Sequence, residues 1–385
     1  MADNPGIPGQ AQKTQGSITA QNQGVDGVRP ASANKTLSGV KPLAEPVLGV
    51  KTPAQVANGA PETSSANNKA TKRELEYRVL TITKEPWYKP VGREIPVFFF
   101  AHKTSKSVAL VGPTGCGKTR FVEHMAFRLK KPLVTVSCVE GMNANDLLGK
   151  YVLRGNDAMV WEDGPLTKAI KMGGICYLDE AVEGGKDVMV LIHSLTDHRR
   201  ILPIQKRNQI IMLNENLLVD LVDGTQFSLI GAGNGNAPEN FMLAISYNPF
   251  YQSLSKQLKP STRQRFLFMN MSYPKAEVER EIIAHEAHVD DALANKLVEI
   301  GAKTRELRNS GDIKEGAGTR LLIYAAELTG EMEKEITKSS RRTYSSQVLR
   351  NEALKIACEF AVIQPLTDEL DKQDAIRDIV RSIIR

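Results

Sequence analysis

The segment Gly112–Thr119, "GPTGCGKT", has the spacing of a phosphate-binding loop: a glycine, four residues, then Gly-Lys-Thr. In such a loop, backbone N–H groups surround the phosphates, the lysine reaches the β- and γ-phosphates, and the hydroxyl holds Mg²⁺. The loop follows a short apolar segment and opens an amphipathic one, which is the context this mechanism requires. We therefore predict that the chain binds ATP and Mg²⁺. The candidate nucleotide-binding residues are Gly112, Pro113, Thr114, Gly115, Cys116, Gly117, Lys118 and Thr119, with Thr119 also a candidate metal ligand.

The segment "ICYLDE" carries the second candidate group. Its apolar part predicts a strand that ends at Asp179, where a carboxylate can hold the Mg²⁺ water shell. The adjacent Glu180 can polarise a water molecule for attack on the γ-phosphate. The alternative is a buried strand that ends in a solvated acidic turn. The Asp-Glu pair favours hydrolysis by water over phosphoryl transfer to a metabolite.

Polar side chains further along the chain could complete a hydrolytic site. Asn248 follows a predicted strand and could orient the attacking water through its amide. Arg263 and Arg265 precede another strand, and arginine stabilises a transferring phosphoryl group well when a neighbouring subunit supplies it. Arg320, in "GAGTRLL", could reach the same phosphates from a helical segment. Surface positions on solvated helices remain the alternative for these arginines.

These groups need a framework, and the hydrophobic pattern predicts one. Apolar strands alternate with helices, which indicates a parallel sheet covered on both faces; beyond Pro274 only helical patterns follow. We expect an α/β core and then a small C-terminal helical lid domain. The predicted strands are 107–111, 132–136, 175–178, 242–246 and 266–271, and the predicted helices are 120–130, 143–148, 186–195, 276–287, 291–307, 319–336 and 351–364.

The predicted domain boundaries follow composition. Residues 1–74 lack aromatic side chains and are rich in small and polar residues, so we expect a disordered tail, either a plain solvated leader or a docking segment. The core spans 75–272 with an insertion at about 205–239, and the lid spans 273–385 with a basic insertion at about 334–350. A β-hairpin is predicted at Tyr151–Trp161 around a Gly-Asn-Asp turn.

Bulk composition narrows the class of protein. The 385 residues carry a net charge of +6, which is weak evidence for a nucleic-acid partner. The longest apolar runs, such as Val97–Phe100, have the length of a core strand and not of a membrane span. Four scattered cysteines and the lack of a signal pattern predict a soluble cytoplasmic protein. His285 and His288 are expected on a solvated helix face.

Together these motifs resemble the AAA+ ATPases, in particular the MoxR branch and its CbbQ/NirQ/NorQ group. The resemblance is carried in order by "VGPTGCGKTRFVEHMAFRL", "GPLTKAIKMGGICYLDEAVEGGKD", "IHSLTDHRRILPI", "SYNPFYQSLSKQLKPSTRQRF" and "EGAGTRLLIYAAEL". The sequence departs from the group in its long N-terminal segment and in the two insertions.

The resemblance implies a role for each candidate. Gly112–Thr119 would be Walker A, Asp179 and Glu180 Walker B, Asn248 sensor 1 and Arg320 sensor 2. Arg265 matches the arginine finger, Arg263 is a second candidate, and the Tyr151–Trp161 hairpin matches an insert that faces the central pore of a ring.

The resemblance also implies assembly and partners. Members form hexameric rings and work with a von Willebrand factor A domain protein to remodel a protein target, such as Rubisco or nitric oxide reductase. Two other classes stay open: a nucleic-acid-stimulated translocase of the same superfamily, and a nucleotide-binding adaptor without useful turnover.

Overall fold

A computed structural model describes residues 79–155, 158–213, 228–230, 241–249, 258–339 and 345–384. The predicted tail at 1–74 lies outside these residues, as do 214–227 and 231–239 of the first insertion and 340–344 of the second. The tip of the predicted hairpin, 156–157, and the segment 250–257 also lie outside them.

A five-stranded, fully parallel sheet forms the centre of the α/β region. Its strands are Ser107–Val111 (β1), Leu133–Ser137 (β2), Ile175–Asp179 (β5), Met242–Tyr247 (β9) and Phe266–Asn270 (β10). They lie in the order β10-β1-β9-β5-β2 and are short and almost wholly apolar because both faces of the sheet are covered. The predicted parallel sheet between helices is confirmed.

Alternate residues of each strand face two separate cores. In β1, Val108 and Leu110 pack in one core with Phe98 and Phe121, whereas Ala109 belongs to the core on the opposite face. The helices that cover the sheet are α1 (Glu94–Lys103), α2 (Lys118–Leu129), α3 (Ala144–Leu148), α4 (Pro165–Met172), α5 (Lys186–Thr196) and the short α6 (Pro260–Arg263).

The apolar run Val97–Phe100 does not form a strand. It lies in helix α1, where Phe98 is fully buried and Phe100 is half exposed. The helix buries one stripe of its surface, which includes Phe98 and Ala101. A short apolar run alone therefore does not distinguish a strand from a helix.

Two small sheets accompany the central one. Gly149–Arg154 (β3) and Ala158–Asp163 (β4) form the antiparallel hairpin that the sequence predicts, with Tyr151 opposite Trp161. Ile201–Ile204 (β6) pairs with Gln209–Met212 (β7), which pairs with Ser228–Ile230 (β8). No pattern in the sequence predicts this second sheet, which includes described parts of the first insertion.

After β10 the described chain is helical, as predicted. The helix Asp291–Ser310 has a side-chain cap from Asp290, whose carboxylate accepts from the N–H of Leu293 at 2.9 Å. The helices are α7 (Ala276–Ala287), α8 (Asp291–Ser310), α9 (Thr319–Ser339), α10 (Ser346–Cys358), α11 (Gln364–Leu366) and α12 (Leu370–Ile383). They enclose a separate hydrophobic core.

The four cysteines all lie among the described residues, whereas the hydropathy prediction concerns the whole chain. All four cysteines are buried with free thiols. In the described ranges, no helix combines the length and the apolar character that a membrane crossing needs.

Candidate nucleotide-binding site

Three of the predicted segments meet at the carboxyl edge of the central sheet. Gly112 follows β1, Asp179 ends β5 and Asn248 follows β9, and β9 lies between β1 and β5. Carboxyl ends of adjacent parallel strands share one edge, where open α/β sheets bind their ligands. The order of the strands therefore brings together residues that are far apart in the sequence.

The glycine loop has the backbone conformations that its sequence requires. Gly115 and Gly117 adopt φ values of +73° and +95°, which side chains other than glycine rarely tolerate. Helix α2 begins directly afterwards at Lys118 and has no side-chain cap. Its first N–H groups and the positive end of its dipole are thus available to an anion.

Lys118 is a buried cation, with only 7% of the residue exposed. Its Nζ donates to the carbonyl oxygens of Gly112 and Pro113, both at 2.9 Å. Carbonyl groups satisfy the ammonium donors without neutralising the charge. The site therefore contains a positive charge whose present partners a phosphate oxygen can replace.

Hydroxyl groups surround the carboxylate of Asp179. The Tyr177 hydroxyl donates to Oδ1 of Asp179 at 2.9 Å, and the Ser246 hydroxyl donates to the same atom. The Tyr177 oxygen also lies 3.5 Å from Oγ1 of Thr119. Thr119 and Asp179, the two candidate metal ligands, are thus linked through one phenolic hydroxyl.

Glu180 has an unusual backbone for a glutamate, with φ at +50°. This left-handed conformation is uncommon outside glycine and, where it occurs, clusters at functional sites. Burial raises the pKa of the Glu180 carboxyl, Lys118 opposes that rise, and Asp179 adds to it. A carboxylate with a raised pKa is a better proton acceptor, as a general base must be.

Asn248 connects these groups. The residue is 2% exposed, and its amide nitrogen donates to Oγ1 of Thr114 at 3.2 Å and to Oε1 of Glu315 at 3.4 Å. Its backbone N–H donates to the Glu180 carboxylate, which lowers the pKa of that group. Asn248 therefore contacts the loop, the candidate base and a carboxylate from the helical region.

An ion pair within the helical region supports the residues that contact the loop. Arg305 donates to both carboxylate oxygens of Glu279, at 2.8 and 2.7 Å, and its guanidinium lies 3.9 Å from the ring centre of Tyr273. The Tyr273 hydroxyl donates to the carbonyl oxygen of Thr114 at 3.1 Å. A Cβ at Gly318 would lie 2.7 Å from that same carbonyl oxygen, so glycine is needed for this close approach.

A cavity of about 430 Å³ adjoins the glycine loop. Its rim joins residues before α1 to helix α7: Trp87 stacks on His285 at 4.2 Å, and Lys89 pairs with Glu281 at 2.6 Å. His285 therefore does more than face solvent, although it is half exposed. The residues that line the cavity include Trp87, Tyr88, Gly115, Gly117, Thr119 and Arg320.

The two arginines that precede β10 have partners on other elements. Arg265 donates to the carbonyl oxygen of His193 at 3.3 Å and lies 3.9 Å from Asp197, at the end of α5. Arg263 lies over the ring of Phe268 at 4.8 Å. Within one chain, these contacts place the arginines against α5 and β10, and none of these contacts involves the glycine loop.

The β3–β4 hairpin exposes apolar side chains on a short two-stranded arm. Its base contacts the β6–β7 turn: the Tyr151 hydroxyl donates to the carbonyl of Lys206 at 3.2 Å, and Arg207 lies 5.7 Å from the ring centre of Trp161. The exposed apolar residues are Tyr151, Leu153, Met159 and Val160.

The residues at the sheet edge fit a magnesium nucleotide. The uncapped start of α2 and the Lys118 ammonium suit phosphate oxygens, and a hydroxyl beside a carboxylate suits a hard cation such as Mg²⁺. The cavity beside the loop offers aromatic surface from Trp87 and Tyr88.

Comparisons with known proteins agree with this geometry. The family model described as "AAA domain (dynein-related subfamily)" matches residues 107–266, and the model described as "CbbQ/NirQ/NorQ C-terminal" matches residues 279–339. Protein CbbQ of Hydrogenophilus thermoluteolus is 44% identical over 302 residues, which cover 78% of this chain and 96% of that protein. The chain belongs to the CbbQ/NirQ/NorQ family of AAA+ proteins.

Two further relatives extend the comparison for this family member. Protein NorQ of Paracoccus denitrificans is 43% identical over 77% of this chain and 94% of its own length. The denitrification regulatory protein NirQ of Pseudomonas aeruginosa is 40% identical over 77% of this chain and 96% of its own length. The resemblance that the motifs indicate is confirmed.

Several residues of this site in the family member belong to none of the predicted site motifs. Tyr177 lies two positions before Asp179 on the same strand, and Ser246 lies two positions before Asn248, which directly follows β9, so the two-residue period of a strand could have found them. Glu315 and Tyr273 carry no such signal, because only the packing of the helical region brings them to the loop.

Proposed function

We propose that this protein hydrolyses ATP with Mg²⁺ at the site formed by Gly112–Thr119, Asp179, Glu180 and Asn248. The observation that carries the proposal is the meeting of these groups at one sheet edge, beside an uncapped helix start and a buried lysine. A binding-only adaptor would not need a carboxylate of raised pKa adjoining Asp179.

Each residue has a proposed role in holding the nucleotide. Lys118 and the N–H groups of the loop bind the phosphates, and Arg320 lies beside the loop at the start of α9. The adenine ring of the nucleotide lies in the cavity near Trp87 and Tyr88. Thr119 and Asp179 hold Mg²⁺, which when bound neutralises charge on the β- and γ-phosphates.

The proposed chemistry needs one proton acceptor and one orienting group. Glu180 accepts a proton from the attacking water, and its raised pKa suits that transfer. Asn248, whose amide is already fixed by two acceptors, orients the water or a γ-phosphate oxygen. Lys118 stabilises the charge that develops on the transferring phosphoryl group.

We propose that Arg265 acts on the nucleotide of a neighbouring subunit, with Arg263 as a second candidate. Arg265 is one third exposed and is held by α5 of its own chain. A pre-positioned arginine of this kind suits supply in trans, which requires an oligomer. A hexameric ring is the assembly that the family resemblance implies.

We propose that ATP hydrolysis drives remodelling or activation of a target enzyme. Relatives named CbbQ, NorQ and NirQ support this role, with Rubisco or a nitric oxide reductase as the type of target. A von Willebrand factor A domain protein is the proposed partner, and the cytoplasm the proposed compartment. The exposed apolar side chains of the β3–β4 hairpin supply a surface for contact with the target.

Glu180→Gln tests the catalytic proposal. We expect unchanged ATP binding and a loss of hydrolysis of at least about 100-fold, because glutamine cannot accept the proton. Glu140→Gln, an exposed residue after β2, serves as the control and should hydrolyse ATP at the wild-type rate. Normal turnover in Glu180→Gln would show that another group is the base.

A further inference from the structure

Glu315 brings a third carboxylate to the sheet edge. It lies between α8 and α9, is half buried, and accepts hydrogen bonds from the Asn248 amide and the Thr114 hydroxyl. The sequence motifs assign it no role. Its carboxylate lies beside Thr114, a residue of the loop that is proposed to enclose the phosphates.

The site already contains several acidic groups around one cation. Burial raises the pKa of Glu315, contacts with Thr114, Asn248 and Lys118 oppose the rise, and the charge of Glu180 adds to it. Burial likewise raises the pKa of Glu180. An anion that binds near Lys118 would therefore compete with Glu315 for the hydrogen bonds of Thr114 and Asn248 and for the charge of Lys118.

We propose that Glu315 is a positioning residue, which holds the Asn248 amide in the nucleotide-free site and is displaced by the third phosphate of a nucleoside triphosphate. The inference rests on the proposed function, since it assigns Asn248 to the γ-phosphate. It adds a contact, carried by the helical region, that distinguishes triphosphate from diphosphate.

The hydrogen-bond capacity of Asn248 supports this exchange. Its amide nitrogen has two protons, and Thr114 and Glu315 accept both. A γ-phosphate oxygen must replace one of these acceptors. Thr114 is neutral, whereas Glu315 repels the incoming charge, so Glu315 is the acceptor that leaves.

Displacement of Glu315 also has a mechanical consequence. Glu315 directly precedes Gly316–Thr319, a segment that Arg305 and Glu279 fix through Ala317 and Thr319. Movement of the carboxylate therefore acts on the segment that leads into α9 and Arg320. A diphosphate leaves the contact between Glu315 and Asn248 in place.

The experiment compares the affinities of a non-hydrolysable ATP analogue and of ADP, both with Mg²⁺, in full-length wild type and Glu315→Gln. Glutamine keeps the shape and removes the charge. We expect the ratio of ADP Kd to analogue Kd to rise at least about fivefold in Glu315→Gln, with the ADP Kd unchanged. Glu315→Ala should raise the ratio in the same direction.

Glu306→Gln is the matched control, since it removes one carboxylate charge from the exposed face of the neighbouring helix α8. Its ratio should equal that of wild type. An unchanged ratio in Glu315→Gln, or weaker binding of both nucleotides, would overturn the inference, because a purely structural role affects both equally. Wild type that binds neither nucleotide would instead refute the proposed function.

Discussion

Two cations in this molecule, the buried Lys118 and the partly buried Arg305, are satisfied in different ways. Lys118 in the glycine loop donates to two backbone carbonyls, whereas Arg305 in the helical region forms a bidentate pair with Glu279, which is 1% exposed. A carbonyl satisfies a donor but leaves the charge unbalanced, whereas a carboxylate balances it. The first cation can therefore accept an anionic ligand, and the second is committed to the fold.

The contrast separates a binding charge from a structural one by the chemistry of the partner groups. Arg305 also contacts the Tyr273 ring and donates from Nε to the carbonyl of Ala317, so its guanidinium has partners on three sides. Removing Lys118 should therefore reduce function, and removing Arg305 should reduce stability.

Lys118→Met should give the largest effect on activity. Methionine keeps the apolar stem and removes the charge, so we expect ATP hydrolysis to fall by roughly 1,000-fold. The free energy of unfolding should stay the same or rise, because no buried charge then has to be desolvated. Steady-state ATPase assays and urea titrations measure the two quantities.

The same variant tests the proposed role of Arg265. Lys118→Met chains still present Arg265, and Arg265→Ala chains still have an intact loop. Mixed assemblies should therefore regain part of the ATPase activity that each variant lacks alone. No recovery at any mixing ratio would contradict supply of Arg265 by a neighbouring subunit.

Arg305→Met should give the largest effect on stability. It leaves the Glu279 carboxylate buried without its cation, which costs about 3–5 kcal/mol of unfolding free energy. Adding Glu279→Leu to Arg305→Met should recover much of that loss, since an apolar pair replaces the ion pair. A loss as large in Lys118→Met would remove the distinction between the two cations.

Tyr273→Phe should give the smallest effect. The ring stays beneath Arg305, and only the hydrogen bond to the Thr114 carbonyl is lost, at a cost of about 1 kcal/mol in stability. Thermal unfolding of Tyr273→Phe and Arg305→Met under one condition compares the two. A larger loss of stability for Tyr273→Phe than for Arg305→Met would show that the hydrogen bond to the Thr114 carbonyl stabilises the fold more than the ion pair does.

The sequence predicts the central sheet well because its strands are short, apolar and bounded by clear turns. Ser107–Val111 is predicted to the residue, and the loop that follows has fixed glycine requirements. The edge at which Asp179 and Asn248 meet also follows, since parallel strands align their carboxyl ends. Local signals thus suffice wherever one strand carries one site residue.

The contribution of the helical region could not be predicted in the same way. Glu279, Arg305 and Glu315 lie on three different segments, and each looks like an ordinary solvated charge in a helical pattern. Their partners depend on how α7, α8 and α9 pack together, which hydrophobic periodicity does not specify. The left-handed Glu180 is likewise invisible, because no glycine marks it.

The exposed apolar arm formed by β3 and β4 has a consequence for selectivity. Attraction between apolar surfaces has no preferred direction, so Leu153 and Met159 would hold many unrelated chains about equally well. Under the proposed remodelling role, contact with a target protein and recognition of that target would therefore be separate tasks. The hairpin would supply the contact, and the selection of the target would come from polar complementarity on other surfaces.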